Sequence, residues 1–174
     1  MIARRAVQRH DRMVCFDDGA DRFQMRAAGI AIRNGRVLVQ NLSGEPGSAL
    51  PGGRIDQHES SAQALLREMD EEFAQTVEVG PLAFVLESFF SDIGQVFHEV
   101  GFYYPMIVPD SFPYHDIDIC HRHREGTVEI EYRWVETTPE ALAGCQLFPD
   151  LLRTRLAGPL PTSVLHILDR DRHD

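Results

Sequence analysis

The chain has 174 residues, 43% of them hydrophobic, and a formal net charge of −10; that length accommodates one domain whose core needs no staple. The charge argues against non-specific nucleic-acid binding, which draws its affinity from Lys and Arg against phosphates. Three widely spaced cysteines, Cys15, Cys120 and Cys145, are odd in number, as expected of free thiols in a reducing compartment; no stretch approaches the ~20 apolar residues of a membrane span, and Met1-Ile2-Ala3-Arg4-Arg5 opens no secretory signal, so a cytoplasmic location is expected.

The first regular element runs from Met25 to Ile32 and joins Val37-Leu38-Val39 through Arg33-Asn34-Gly35-Arg36. Asn-Gly between apolar runs is a strong hairpin signal, because a type I′ turn needs positive φ at both central residues. Residues 41–49 carry loop chemistry. Pro51-Gly52-Gly53 continues a backbone that side chains do not crowd, so a carbonyl or amide there can approach an ion or a phosphate.

Ser60 or Ser61 can cap the helix that follows, with Glu59 near the positive end of its dipole. At ~100° per residue, Glu68, Glu71 and Glu72 fall within about 100° of arc, while Ala62, Leu65, Leu66, Met69 and Phe73 fill a separate arc of similar width. One face is therefore core and the other a cluster of carboxylates. Glutamates at i and i+4 destabilise a helix by roughly 0.2–0.5 kcal/mol per pair. A hard divalent cation would compensate them, since Mg²⁺ binds carboxylates, waters and phosphate oxygens; a solvated acidic face is the ordinary alternative.

Beyond the helix, Leu82 to Phe90 and Val96 to Val108 flank Ser91-Asp92-Ile93-Gly94-Gln95 and read as a second hairpin. Within it, His98 and Glu99 must point to opposite faces, so one of them faces a cleft. Phe89, Phe90, Phe102 and Tyr104 are able to stack on a base, although strand aromatics are more often core. Residues 109–124 read as a polar loop. His115, His121 and His123 with Asp116 and Asp118 have the composition of a second metal site without its ligand spacing, and solvated loop histidines are the simpler reading. Val128 to Val135 alternate with the period of a half-buried strand. Pro139 to Leu142 and Pro149 to Leu156 read as short helices, the chain closing on a helix.

The run Gly53-Arg54-Ile55-Asp56-Gln57-His58-Glu59, followed after seven residues by Arg67-Glu68-Met69-Asp70-Glu71-Glu72 and preceded by Leu50-Pro51-Gly52, resembles the signature of the Nudix hydrolases. That signature is a glycine, a glutamate six residues later, then Arg-Glu-apolar-any-Glu-Glu on a helix. So many specified positions at fixed spacing outweigh the solvated-face reading. The resemblance implies an α+β Nudix fold, a mixed β-sheet sandwiched between α-helices. It is expected as a single domain over residues 1–174, with the motif-bearing core at about 25–156 and residues 1–22 and 157–174 outside the match.

The resemblance further implies metal-dependent hydrolysis of a pyrophosphate bond in a nucleoside diphosphate linked to another group. Glu68, Glu71 and Glu72 would be ligands of Mg²⁺ or Mn²⁺, the Gly52 carbonyl would complete the site, and Glu59 would support it as an outer ligand or through the loop. Arg67 would orient a catalytic carboxylate; its alternative is a surface i,i+4 pair with Glu71 worth a few tenths of a kcal/mol, roughly. Glu68 is the box position most often at the proton transfer or its metal. Where the base comes from a later loop, Glu125 is the first candidate and Glu99 the second. A non-catalytic Nudix-like nucleotide-binding or regulatory module is the alternative, and retention of every acidic box position favours the enzyme. The expected partner is a small-molecule nucleoside diphosphate derivative, with no nucleic acid and no membrane, and a homodimer left open.

The chain departs from the family pattern at Ala74-Gln75, where a glycine and an apolar residue are usual. Alanine at positive φ costs on the order of 1 kcal/mol, so the helix is expected to lack the left-handed stop and to end near Gly80-Pro81. The proline of ADP-sugar members, the tyrosine of dinucleoside polyphosphate members and the coenzyme A signature are all absent. The group linked to the nucleoside diphosphate is therefore unassigned.

Overall fold

A computed structural model describes residues 8–9, 12–92, 94–115 and 118–170. Among these residues the elements run β1 (Gln8–Arg9), β2 (Cys15–Asp18), β3 (Asp21–Ile30), β4 (Ile32–Arg33), β5 (Arg36–Leu42), β6 (Gly52–Arg54), α1 (Ser61–Phe73), β7 (Glu78–Val79) and β8 (Phe84–Asp92). They continue with β9 (Gln95–Ile107), β10 (Ile119–Glu125), β11 (Val128–Glu136), α2 (Pro139–Gly144), α3 (Leu151–Arg155) and β12 (Leu165–Arg170).

One sheet of eight strands runs β1-β2-β3-β9-β8-β12, with β6 on β3 and β7 on β9; a four-stranded sheet runs β10-β11-β5-β4. β3 and β9 pair parallel, β8 and β9 antiparallel, and β12 lies parallel to β8. The tight turn forms where Asn-Gly stands, with Asn34 at φ 50° and Gly35 at φ 73°.

Strand alternation divides the core in two. Ala27, Leu38 and Tyr104 pack with Leu65, Met69 and Phe73 of α1 and with Tyr132 and Trp134 of β11. Their chain neighbours Ala28, Val37, Val39 and Tyr103 pack instead with Leu142, Leu152 and Leu156 around α2 and α3. Both faces are thus covered by helix, and the mixed sheet is sandwiched as the α+β reading requires. Leu65 and Met69 are fully buried, each contributing roughly 1.5–3 kcal/mol by transfer from water.

Three local expectations are corrected. α1 ends at Phe73, not near Gly80-Pro81, and Ala74 itself adopts the left-handed stop at φ 51°, ψ 30°, its N–H bonded to the Asp70 carbonyl at 3.0 Å. The conformational cost, on the order of 1 kcal/mol, is offset because the stop seats Phe73 against Phe112 and Tyr132, with ring centroids 4.5 and 5.0 Å away. Residues 109–124 are not loop throughout: β10 begins at Ile119 and pairs with β11, carrying His121 and His123, while Asp116 lies outside the described residues. The last described element is a strand, β12, whose Leu165 and Ile167 turn towards the core. Among the described residues no helix is long and apolar enough to cross a membrane.

Candidate active site

The site begins with a cap. Ser60 Oγ accepts from the Gln63 N–H at 3.3 Å and Gln63 Oε1 accepts from the Ser60 N–H at 2.8 Å. This capping box fixes the first turn of α1 directly after the glycine loop.

One turn further on, Arg67 reaches back. Its Nε and Nη2 donate to Glu59 Oε2 and Oε1 at 3.2 and 2.8 Å, its Nη1 to Glu68 Oε1 at 2.8 Å, and its Nη2 also to the Arg54 carbonyl at 3.1 Å. The i,i+4 contact with Glu71 is longer, 3.5 Å. The planar fork of a guanidinium suits such simultaneous grips on carboxylates. Glu59 Oε1 additionally accepts from the Asp56 N–H at 2.7 Å, so loop and helix are tied through one cation.

The two glycines serve different neighbours. Gly52 sits at φ 141°, and a Cβ there would lie 2.1 Å from the Ala27 carbonyl oxygen of β3. At Gly53 a Cβ would lie 2.2–2.4 Å from the carboxyl atoms of Glu68. Gly52 is thus dictated by strand packing, and Gly53 by the carboxylate that lies under it. The Gly52 carbonyl accepts from Arg26 Nη2 at 3.1 Å, and the same nitrogen donates to the Leu50 carbonyl at 2.9 Å.

Burial sets the electrostatics. Glu72 is only 8% exposed, and its Oε2 accepts from the Tyr132 hydroxyl at 2.5 Å. Desolvation pushes its carboxyl up to about 7, with Glu68 and Glu125 adding and Tyr132 and Arg26 opposing. Desolvation also raises Glu68, against the pull of Arg67. Glu59, by contrast, is held below the usual range, chiefly by its hydrogen bond from Arg67. Buried Glu72 and half-buried Glu68 therefore hold protons more tightly than usual, as carboxylates do when burial and like charge act together.

Among the described residues no three His, Cys, Asp or Glu side chains converge as a ready metal-ligand cluster; Arg67 and Tyr132 engage Glu68 and Glu72 instead. The donor set nonetheless suits a hard cation. Mg²⁺ asks for one or two carboxylates beside waters and substrate phosphates, and a cation would relieve the raised proton affinity of Glu68 and Glu72.

Glu125 ends β10, exposed, on the same side of that strand as His121 and His123. Of the pair on β9, Glu99 faces a cleft, accepting from Gln24 Nε2 at 2.5 Å. His98 stacks on Phe89 on the opposite face, centroids 4.3 Å apart.

Three residues escaped the sequence reading. Tyr132 was legible as an inward position, and a buried tyrosine hydroxyl demands a partner, but nothing local named Glu72. His121 is no solvated loop residue, for its Nε2 lies 2.8 Å from the Glu72 backbone oxygen and its ring packs edge-on against Phe73. Arg26 had one signal, a charge inside the otherwise apolar run Met25–Ile32.

A family model for the NUDIX domain matches residues 23–142. The chain belongs to the Nudix family. Its matched segment carries every box carboxylate together with Glu99 and Glu125. Members of this hydrolase family act on nucleoside diphosphate derivatives and generally need a divalent metal, and this Nudix chain is an enzyme of that class. Its fold is similar to that of a Nudix hydrolase from Nitrosomonas europaea, 20% identical, covering 84% of this chain and 79% of that one, with a TM-score of 0.52. A mutator MutT protein from Bacillus halodurans is 14% identical over 87% of this chain and 93% of its own, with a TM-score of 0.55. A MutT protein from Methanosarcina mazei Go1 is 20% identical over 78% and 91%, with a TM-score of 0.50. At these identities the likeness is one of fold alone. No curated protein matches this chain.

Proposed function

We propose that this Nudix hydrolase cleaves a pyrophosphate bond in a nucleoside diphosphate linked to another group, using Mg²⁺ or Mn²⁺. The observation that supports this best is the Arg67 fork, which ties Glu59 of the loop to Glu68 of the helix beneath Gly53. A merely solvated acidic face has no need of a scaffold that orders it.

Glu68, Glu71 and Glu72 would hold the ion, with the Gly52 carbonyl completing the set. Glu59 fits a supporting role through the loop, because Arg67 occupies both its oxygens. When bound, the ion neutralises phosphate charge and lowers the pKa of a bound water so that hydroxide forms near neutral pH. The chain supplies the positioning: Arg67 fixes Glu68, Tyr132 fixes Glu72, and Arg26, which uses Nη2 on backbone carbonyls, keeps further donors for a phosphate oxygen. A carboxylate then takes the proton of the attacking water. Glu125 is favoured over Glu99 for that step because it is exposed and close enough to Glu72 to raise its proton affinity, whereas Glu99 is buried against Gln24. Glu68 is the remaining candidate.

The test is a panel of nucleoside diphosphate derivatives with Mg²⁺, Mn²⁺ or excess EDTA, read by product chromatography beside isothermal titration. Products that require the ion are expected, and full turnover in EDTA would end the mechanism. Binding without product for every compound would point to the non-catalytic module.

A further inference from the structure

Resting on the reading that the substrate is a nucleoside diphosphate derivative, a second feature of the sheet bears on which nucleoside is taken. On the face of the sheet opposite His98, Arg26, Leu50, Phe90, Glu99, Tyr103 and Phe148 line a cleft of about 110 Å³. Pockets for whole drug-sized ligands run to roughly 300–1,000 Å³, so this one fits a single ring system. Phe90 and Phe148 meet edge to face at its rim, centroids 4.8 Å apart. Arg26 connects it to the carboxylate face, through its bond to the Gly52 carbonyl.

Glu99 is the unusual wall. It is 6% exposed, and Gln24 Nε2 donates to its Oε2 at 2.5 Å. Arg54 Nε donates to Gln24 Oε1 at 3.2 Å, which leaves the Gln24 amide able to turn only its N–H₂ towards Glu99, since arginine offers donors alone. Among the described residues nothing donates to Glu99 Oε1. Ser88, its cross-strand neighbour on β8, is 2% exposed and its hydroxyl has no partner. Oε1 is not cut off from solvent as the Ser88 hydroxyl is, so a ligand that fills the cleft takes the place of that solvent and has to bring an N–H of its own to avoid leaving the carboxylate oxygen unpaired.

We propose that this cleft takes the nucleobase and that Glu99 selects bases bearing an exocyclic amino group, adenine, cytosine or guanine, over uracil and thymine. An amino group turns N–H towards the carboxylate. The pairing edge of uracil or thymine presents one N–H flanked by two carbonyl oxygens, whose lone pairs repel the same carboxylate. A site built around one hydrogen-bonding pattern rejects the mismatched ligand because its own polar groups are then left unpaired.

The experiment titrates AMP, CMP, GMP and UMP into the protein in excess EDTA by calorimetry, and in parallel measures kcat/KM with Mg²⁺ for ADP-, CDP-, GDP- and UDP-linked forms of one sugar. Wild type, Glu99→Gln and Phe90→Ala are compared, their folding checked by circular dichroism. In wild type the three amino-bearing nucleotides are expected to bind at least about tenfold more tightly than UMP. Glu99→Gln, whose amide can donate to a uracil carbonyl, should bring all four within about threefold, and Phe90→Ala should weaken all four with their order kept. Equal binding of the four by wild type, or no binding of any, overturns the inference even where hydrolysis is seen. The expected order without hydrolysis of any derivative leaves this inference standing and removes the pyrophosphatase reading instead. Should Glu99→Gln fail to fold, the wild-type order decides alone.

Discussion

The Tyr132 hydroxyl donates to Glu72 Oε2 at 2.5 Å, and this bond fastens β11 to the carboxylate face of α1. Both residues are buried. The phenol thus supplies the donor that water would supply to an exposed glutamate, and it does so from a strand sixty residues further along the chain.

Tyr132→Phe keeps the ring and removes the donor. A hydrogen bond to a charged group contributes roughly 1.5–3 kcal/mol, so urea unfolding in EDTA at pH 8.5 should show a loss of about that size. Mg²⁺ affinity, read by calorimetry, should fall as well, because the unsupported carboxylate holds its proton more tightly. A change in stability below about 0.5 kcal/mol, the scatter expected of ordinary surface substitutions, would show that water replaces the phenol.

What the sequence disclosed and what it withheld divide along one physical line. The faces of α1 were legible because both the core arc of Leu65, Met69 and Phe73 and the acidic arc repeat within a few residues. The partners of those faces were not, since Tyr132, His121 and Arg26 arrive through strand registers that no local pattern encodes. Alternation in Val128–Val135 said that Tyr132 points inward but not at what. β10 was missed because its inward positions are histidines rather than apolar residues, and β12 because its parallel neighbour is β8, far away in the chain. At Ala74 a local propensity was read correctly and then overridden by the burial of Phe73.

The adjacent glycines give a paired test. Gly53→Ala drives a methyl into the Glu68 carboxyl group, which Arg67 prevents from swinging freely. The fold should survive while kcat drops at least about a hundredfold, roughly 2.7 kcal/mol of transition-state stabilisation. Gly52→Ala meets backbone, with the Ala27 carbonyl oxygen 2.1 Å away at φ 141°, and should lose more than about 3 kcal/mol of stability or fail to fold, as strain at a special φ/ψ does. Thermal melts beside kcat separate the two, and equal stability losses in both variants would refute the distinction.

The raised proton affinity of Glu72 fixes the sign of a pH effect in the metal-free enzyme. Its carboxyl titrates at about 7 when folded and near ~4.3 when unfolded, so the folded state binds the proton more tightly. The stabilisation is complete below the unfolded value and is lost as pH rises through about 7. Glu68 acts in the same direction, while Glu59, whose carboxyl is lowered, loses its contribution only in acid. In EDTA, stability should therefore fall between pH 5 and pH 8 by up to about 3 kcal/mol, and Glu72→Gln should flatten most of that slope. An identical slope in both proteins, measured by urea unfolding, would remove Glu72 as its source.

Glu125 offers the last and most specific test of the proton path. β10 turns His121, His123 and Glu125 to the α1 side, His121 reaches the Glu72 backbone oxygen at 2.8 Å, and Glu125 ends the row where the strand meets solvent. There it is accessible to a substrate-bound water yet still felt by Glu72. Glu125→Gln keeps volume and turn while removing the basic oxygen, so kcat should fall more than KM rises, as happens when an interaction exists mainly in the transition state. The acidic limb of the pH–rate profile should flatten or move with it, because that limb reports the base. A purely structural role in the β10–β11 turn would change stability and leave the limb in place. If kcat and the limb are both unchanged, the proton passes to Glu68, whose carboxyl burial already raises, and Arg67→Lys, which loses the fork that positions Glu68, becomes the variant in which the limb should shift.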